Sequence, residues 1–193
     1  MDYTFLPKGL INIIFNPEKE WGRIVSENKT TIFLRNNYLF PLILLVSISA
    51  IAGSLIFINT ELSPVYSLLI GLKSFLLLLI TVYASSLIFS HITYPLDLGK
   101  DFKTSFRIIV YSITPFLLCE IISSIFESLL FLDILGLFGL YIFWTGTGKI
   151  LTPPDYKKMP MLIATFVSII GIYIVSDIIL KMLTDKIYNS FFI

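Results

Sequence analysis

The chain has 193 residues, of which 56% are hydrophobic and only 14% are charged, and its formal net charge is +1. A soluble domain carries about 25% charged residues, so this composition excludes an ordinary soluble globule. The near-neutral charge argues against a nucleic-acid partner, which requires a concentrated basic face. A single cysteine, Cys119, excludes an intrachain disulfide.

The first 37 residues are predicted to form two amphipathic helices ahead of the first span. One apolar stripe comprises the residues that recur at helical spacing: Phe5, Leu6, Leu10, Ile13 and Ile14. Asn16 is expected to be the N-cap of the second helix and Pro17 its first residue, and Trp21 begins the second apolar stripe with Ile24 and Val25. Both helices could lie along the headgroups and pack against the bundle, or they could offer a docking surface for a soluble partner.

Five apolar runs of bilayer length follow: Tyr38–Ile58, Pro64–Ser90, Arg107–Phe126, Leu129–Lys149 and Pro160–Leu183. A hydrocarbon core of about 30 Å needs about 20 helical residues, and the runs lack the alternation of a barrel strand. We therefore predict an all-α, polytopic membrane helical bundle with five transmembrane helices. Residues 1–37 form the cytoplasmic N-terminal region, residues 38–183 the membrane domain, and residues 184–193 a short extracytoplasmic tail.

The lysine and arginine residues alternate between the segments that join the spans. Five lie in the N-terminal region, three in the second connection and three in the fourth, whereas the first and third connections have none. The C-terminal tail has two, and Lys73 lies inside a span. Because cytoplasmic loops are enriched in lysine and arginine, the pattern predicts a multi-pass cell-membrane protein with a cytoplasmic N-terminus and an extracytoplasmic C-terminus.

Three ionisable residues fall inside the predicted spans: Lys73, Glu120 and Asp177. Such residues are expensive in a bilayer and often functional. From the predicted boundaries, all three lie roughly 9 to 14 Å below the outer surface at 1.5 Å per residue. We expect Lys73 to pair with Glu120, Asp177 or both. The cluster could hold helices together, or it could belong to a path for an ion, a proton or a substrate.

Two further features concern the shape of the spans. Thr114 and Pro115 interrupt the third span, where proline removes a backbone hydrogen bond and threonine can satisfy a freed carbonyl, so a bend is expected. Gly136, Gly139 and Gly146 fall near one face of the fourth span, which would allow a neighbouring helix to approach closely.

Catalytic motifs are lacking. No Ser/His/Asp set, nucleotide fingerprint or pair of hydrolytic carboxylates can be assembled, and the only histidine, His91, has no companions for a zinc site. The sequence therefore predicts a protein that is not an enzyme and that needs no cofactor or metal.

Several short motifs resemble the Yip family of membrane proteins, in its prokaryotic branch. They are Asn16-Pro-Glu-Lys-Glu-Trp21, Tyr38-Leu-Phe-Pro41, Tyr111-Ser-Ile-Thr-Pro115, and Leu140-Tyr141 followed by Gly146. The resemblance implies five spans with a cytoplasmic N-terminus. Eukaryotic members are associated with Rab-type GTPases and vesicle traffic, whereas the prokaryotic role is largely undefined, and no catalytic residues carry over.

The sequence favours a non-enzymatic protein that organises membrane or recruits a partner at the cytoplasmic face. Asn16, Pro17 and Trp21 are the candidate contact residues. The alternative is a small transporter, channel or lipid-handling protein that uses the intramembrane charges. The lipid bilayer is the one partner that composition itself implies, and the small-residue faces would also suit a homo-oligomer.

Overall fold

The computed structural model describes residues 5–57, 64–96, 98–99 and 101–192, so the predicted span end at Ile58 and the cation Lys100 lie outside the described residues. The α-helices are α1 (Phe5–Phe15), α2 (Pro17–Glu27), α3 (Thr31–Leu34), α4 (Phe40–Phe57), α5 (Pro64–Thr93), α6 (Phe102–Ser112), α7 (Thr114–Ser123), α8 (Phe138–Ile150) and α9 (Asp155–Phe192). A π-helical segment covers Arg35–Leu39, and 3₁₀ segments cover Tyr94–Leu96 and Glu127–Leu137. The predicted all-α helical bundle is confirmed.

Four helical stretches among the described residues are long and apolar enough to cross a membrane: Thr31–Ile56, Pro64–Leu96, Phe131–Ile150 and Asp155–Ser190. The bent pair of α6 and α7 gives a fifth when the two helices are counted as one span. Several helices extend beyond the predicted boundaries. In particular, α9 continues through the segment predicted to be a tail, because no helix-breaking residue follows Leu183.

Large apolar side chains cover the outside of the bundle. On α9 they include residues that are more than half exposed: Ile163, Val167, Ile174, Val175, Ile178 and Ile179. A soluble protein rarely exposes so large an apolar patch. Such a surface is stable where lipid is the solvent.

The first span contains a π turn just before a proline. Pro41 has no N–H and would crowd the carbonyl of Asn37 in a regular helix, and the backbone N–H of Phe40 bonds to the carbonyl of Arg35, one residue further back than in an α-helix. The side-chain amide of Asn37 donates to the carbonyl of Phe33 at 3.0 Å. The wider turn accommodates the proline and directs Tyr38 into the core.

Consecutive spans run in opposite directions, so the bundle has two ends. We call the end that holds the N-terminal helices the near end and the opposite one the far end. At the near end, Arg107 in the middle of α6 donates to the Asn28 side chain and to the Lys29 carbonyl, both at 2.8 Å. At the far end, Gly53 in α4 packs against the backbone of Ser124, just after α7. The N-terminal helices and the second and fourth connections therefore share the near end.

The fourth span is not α-helical throughout. The eleven-residue 3₁₀ segment Glu127–Leu137 packs back against α7 and leads into α8. At 1.5 Å per residue α8 is only about 20 Å long, short of the roughly 30 Å of hydrocarbon. The larger rise of about 2 Å per residue in the 3₁₀ segment extends the span.

Candidate functional site: a polar cavity within the bundle

The three intramembrane charges line one cavity. Lys73 on α5, Glu120 on α7 and Asp177 on α9 border a space of about 270 Å³ between these helices and α4. Lys73 Nζ lies 2.7 Å from Asp177 Oδ1, and both side chains keep part of their surface exposed. The expected pair is therefore the one with Asp177.

Glu120 lines the same cavity but has no cationic partner among the described residues. Its side chain receives a long hydrogen bond of 3.5 Å from the Ser124 hydroxyl, and it forms no ion pair with any described residue. The neighbouring Ser123 hydroxyl donates to Asp133 at 2.9 Å. The cavity thus contains one lysine already paired with a carboxylate and a second carboxylate that is available to a positive group.

Two further contacts fix α5 against α9 in an antiparallel arrangement. At the far end, the Tyr66 hydroxyl donates to Asp185 at 3.2 Å. At the near end, Lys157 Nζ donates to the Leu96 carbonyl at 2.8 Å. The Lys73–Asp177 pair lies between them. This helix pair therefore has polar connections at three levels.

The helix lengths move these charges closer to the membrane surface than the predicted boundaries suggested. The span Pro64–Leu96 has 33 residues and Asp155–Ser190 has 36, so at 1.5 Å per residue they measure about 50 and 54 Å. Centred on about 30 Å of hydrocarbon, each helix projects about 10 to 12 Å at either end. Lys73 and Asp177 then lie roughly 4 to 8 Å inside the hydrocarbon, near the headgroups.

A second site of close packing joins α2 to the spans at the near end. Trp21 is fully buried, and its Nε1 donates to the Ile142 carbonyl of α8 at 3.0 Å. Its ring meets that of Tyr111 edge-on, with centroids 5.6 Å apart, and Tyr111 in turn packs on Tyr38 at 4.8 Å. We call Trp21, Tyr38, Tyr111 and Gly146 the aromatic junction.

Glycine makes three close contacts with the fourth span possible. A Cβ added to Gly146 would lie 2.5 Å from Cε2 and Cζ2 of Trp21, and one added to Gly139 would collide with the carbonyl oxygen of Ser112. Gly136 likewise lies against Phe116, where a Cβ would come within 3.0 Å of Cα. The three glycines allow α2, α6 and α7 to approach the fourth span.

The bend in the third span lies at Thr114 and Pro115. The axes of α6 and α7 differ by 42°, and the Thr114 hydroxyl bonds to the Val110 carbonyl at 3.2 Å. That hydroxyl is also 3.0 Å from the hydroxyl of Tyr38. Because Thr114 donates to the carbonyl, Tyr38 must donate to Thr114.

The residues chosen as partner-contact candidates differ in exposure. Asn16 is exposed, whereas Pro17 and Trp21 are buried. Asn16 occupies the N-cap position with Pro17 first in α2, but its side chain makes no capping hydrogen bond. Trp21 belongs to the protein interior in this conformation because its indole fills the space beside Gly146.

Sequence reasoning missed the residues that complete these two sites. Tyr173 lines the polar cavity with Ser123 and Ser124, yet serines and tyrosines in an apolar run give no signal by themselves. Tyr38 and Tyr111 belonged to the quoted motifs, but nothing in the sequence indicated that they touch. In the sequence, only the charged residues Lys73, Glu120 and Asp177 indicated a common depth in the membrane.

These features define a multi-pass α-helical membrane protein with a polar cavity between its spans. Residues 11–178 match the Yip1 domain, so the chain belongs to the Yip1 domain family. This family consists generally of non-enzymatic membrane proteins. No curated protein and no solved structure matches the chain.

Proposed function

We propose that this Yip1-domain protein binds a cationic or zwitterionic ligand within the bilayer through the polar cavity. The observation that carries the proposal is that Lys73, Glu120 and Asp177, from three different spans, line one space of about 270 Å³. Ionisable residues inside membranes are costly, and they commonly mark substrate or ion sites.

A purely structural role explains only part of the cluster. The Lys73–Asp177 pair joins α5 to α9, but Tyr66–Asp185 and Lys157–Leu96 already connect the same two helices near their ends. Glu120 connects no helices through an ion pair with a described residue. A partly buried carboxylate beside an open cavity is a suitable partner for a positive group.

Charge-selective labelling tests the proposal. In a chain with Cys119→Ser, Ser74→Cys introduces a thiol that lines the cavity, and Ser85→Cys provides a buried control on the same helix away from it. We expect a cationic methanethiosulfonate reagent to modify position 74 at least roughly tenfold faster than an anionic one. Glu120→Gln should reduce that preference. Position 74 reacting as slowly as position 85 would refute the proposal.

Partner recruitment is the second candidate, favoured by the rigid docking of α2 through Trp21. The exposed face of α2 consists of Glu18, Lys19, Gly22, Val25, Ser26 and Glu27. Deleting residues 1–27 would not test this function cleanly, because the deletion also removes Trp21 and Ile13 from the core. Lys19→Glu with Val25→Ser should abolish partner co-purification and leave thermal stability unchanged. Unaltered co-purification would exclude this face.

We also propose that the near end of the bundle faces the cytoplasm. The support is the distribution of eleven lysines and arginines over the N-terminal region and the second and fourth connections. Tags at residues 1 and 193 should then be reached by an impermeant reagent from opposite sides of the membrane. Labelling of both tags from one side would contradict this orientation.

A further inference from the structure

A second cavity adjoins the polar one and has the opposite character. Its volume is about 280 Å³, and its walls are almost entirely apolar side chains of α6, α7, α8 and α9. Tyr173 lines both cavities. Asp133, on the wall of the apolar cavity, accepts the hydrogen bond of Ser123, which lines the polar one. Tyr173 and the Ser123–Asp133 hydrogen bond therefore form the boundary between the two spaces.

The apolar cavity has the length of one acyl chain. Along α9 it extends from Leu162 to Tyr173, which is about 17 Å at 1.5 Å per residue. One leaflet of a bilayer with a hydrocarbon core of about 30 Å is about 15 Å thick. The cavity begins at Tyr173, about 6 Å along α9 from Asp177 at 1.5 Å per residue, and runs towards the near end. With α9 centred as above, it lies in the near half of the membrane, so a chain that enters it from the charges crosses the middle.

We infer that the two cavities together form a binding site for one aminophospholipid, with its headgroup in the polar cavity and one acyl chain in the apolar cavity. The inference rests on the proposed function and specifies its ligand. Lipid surrounds the exposed apolar faces of α8 and α9, so membrane phospholipids lie beside this part of the bundle.

The charges of the polar cavity match a zwitterionic headgroup. Glu120 and Asp177 suit an ammonium group, and Lys73 has three N–H donors, of which one is directed to Asp177. The other two N–H groups of Lys73 are available to a phosphodiester. The roughly 4 to 8 Å depth of these residues is close to that of phospholipid headgroups.

A primary ammonium group fits better than a quaternary one. It can donate charge-assisted hydrogen bonds to Glu120, which trimethylammonium cannot. Choline groups are usually held in cages of several aromatic rings, whereas Tyr173 is the one aromatic residue among the described residues that line the polar cavity. We therefore expect phosphatidylethanolamine to be preferred over phosphatidylcholine.

The wall of the apolar cavity includes a polar atom without a partner. The Ser112 hydroxyl is more than nine-tenths buried and makes no hydrogen bond with any described residue. A buried hydroxyl left in this state costs about 1 to 3 kcal/mol.

Native mass spectrometry of the full-length protein from mixed phosphatidylethanolamine and phosphatidylcholine vesicles tests the inference. The wild type should retain one phosphatidylethanolamine in preference to phosphatidylcholine. Glu120→Gln should reduce that preference roughly ten- to a hundredfold, the loss of one hydrogen bond to a charged group. Ile170→Trp, which fills the apolar cavity, should reduce retention of both lipids, whereas Ile178→Trp, exposed on α9 away from both cavities, should not.

The outcomes separate this inference from the proposed function. Equal retention by the Ile170 and Ile178 variants, or an unchanged preference in Glu120→Gln, would overturn the lipid assignment. If the wild type retains no lipid while charge-selective labelling of position 74 persists, the cavity takes a small cationic ligand and the inference is wrong. If the charge-selective labelling is also absent, both the inference and the proposed function are wrong. Thermal unfolding of each variant verifies that it is folded.

Discussion

Gly146→Ala provides the most direct test of how α2 is attached to the membrane spans. The added Cβ would lie 2.5 Å from two carbons of the Trp21 indole and 3.0 Å from a third, whereas carbon atoms normally approach to about 3.5 to 4.0 Å. Trp21 is completely buried and held by its bond to Ile142, so its ring has little room to move. We expect the substitution to force α2 away from α8.

The expected magnitude follows from two opposing effects. Overpacking a well-filled interior costs about 1 to 3 kcal/mol, and replacing glycine by alanine inside a helix returns up to about 1 kcal/mol. With the full gain, Gly146→Ala should therefore lower the free energy of unfolding by up to about 2 kcal/mol. At about 2 to 4 °C per kcal/mol for a chain of this size, the melting temperature should fall by up to about 8 °C.

The assay is thermal unfolding in detergent micelles, followed by the loss of monodisperse protein, in two backgrounds. With Trp21→Phe, the smaller ring leaves room for the new methyl group, so Gly146→Ala should become neutral or stabilising. The resulting coupling between the two positions should be about 1 to 3 kcal/mol, the overpacking cost that the smaller ring relieves. Gly148→Ala is the matched control on the same helix, because its nearest neighbour is the flexible Lys158 end at 3.7 Å. Equal effects of Gly146→Ala in both backgrounds would refute the contact.

Three further substitutions test other parts of the structure. Lys73→Met should lower heat resistance in micelles more than the double variant with Asp177→Leu does, because the single change leaves a partly buried carboxylate unpaired; equal losses would argue against the pair. Thr114→Val should reduce the free energy of unfolding by about 1 to 3 kcal/mol by leaving the buried Tyr38 hydroxyl without its acceptor, and adding Tyr38→Phe should recover part of that loss in the same melting assay. Asp101→Ala removes the N-cap of α6 and should reduce the free energy of unfolding by about 0.5 to 2 kcal/mol, whereas Asp101→Ser should retain most of the stability.

The aromatic junction gives the family motifs a common structural purpose. Trp21, Tyr38, Tyr111 and Gly146 come from four separate segments and meet at the near end of the bundle. Each motif is short and contributes one residue to the junction. Their contact explains why the N-terminal helices are part of the packed domain rather than a separate arm.

The sequence by itself determined the class of protein and the number of apolar segments. Runs such as Leu76–Ile80 carry that information locally, because transfer of each side chain into lipid depends on its own hydrophobicity and not on its neighbours in space. The bend at Pro115 was predictable for the same reason, since a missing N–H disrupts any helix.

Only the tertiary structure decided which of these segments touch. Lys73 could have paired with Glu120 or Asp177, and the choice depended on α5 packing along α9. Trp21 could equally have faced a partner or the core, because an aromatic residue on an amphipathic helix suits both. Gly146, more than a hundred residues away in the chain, has no side chain. The indole of Trp21 packs into that space, so Trp21 faces the core. Packing between distant segments depends on shape, which a hydrophobicity pattern does not contain.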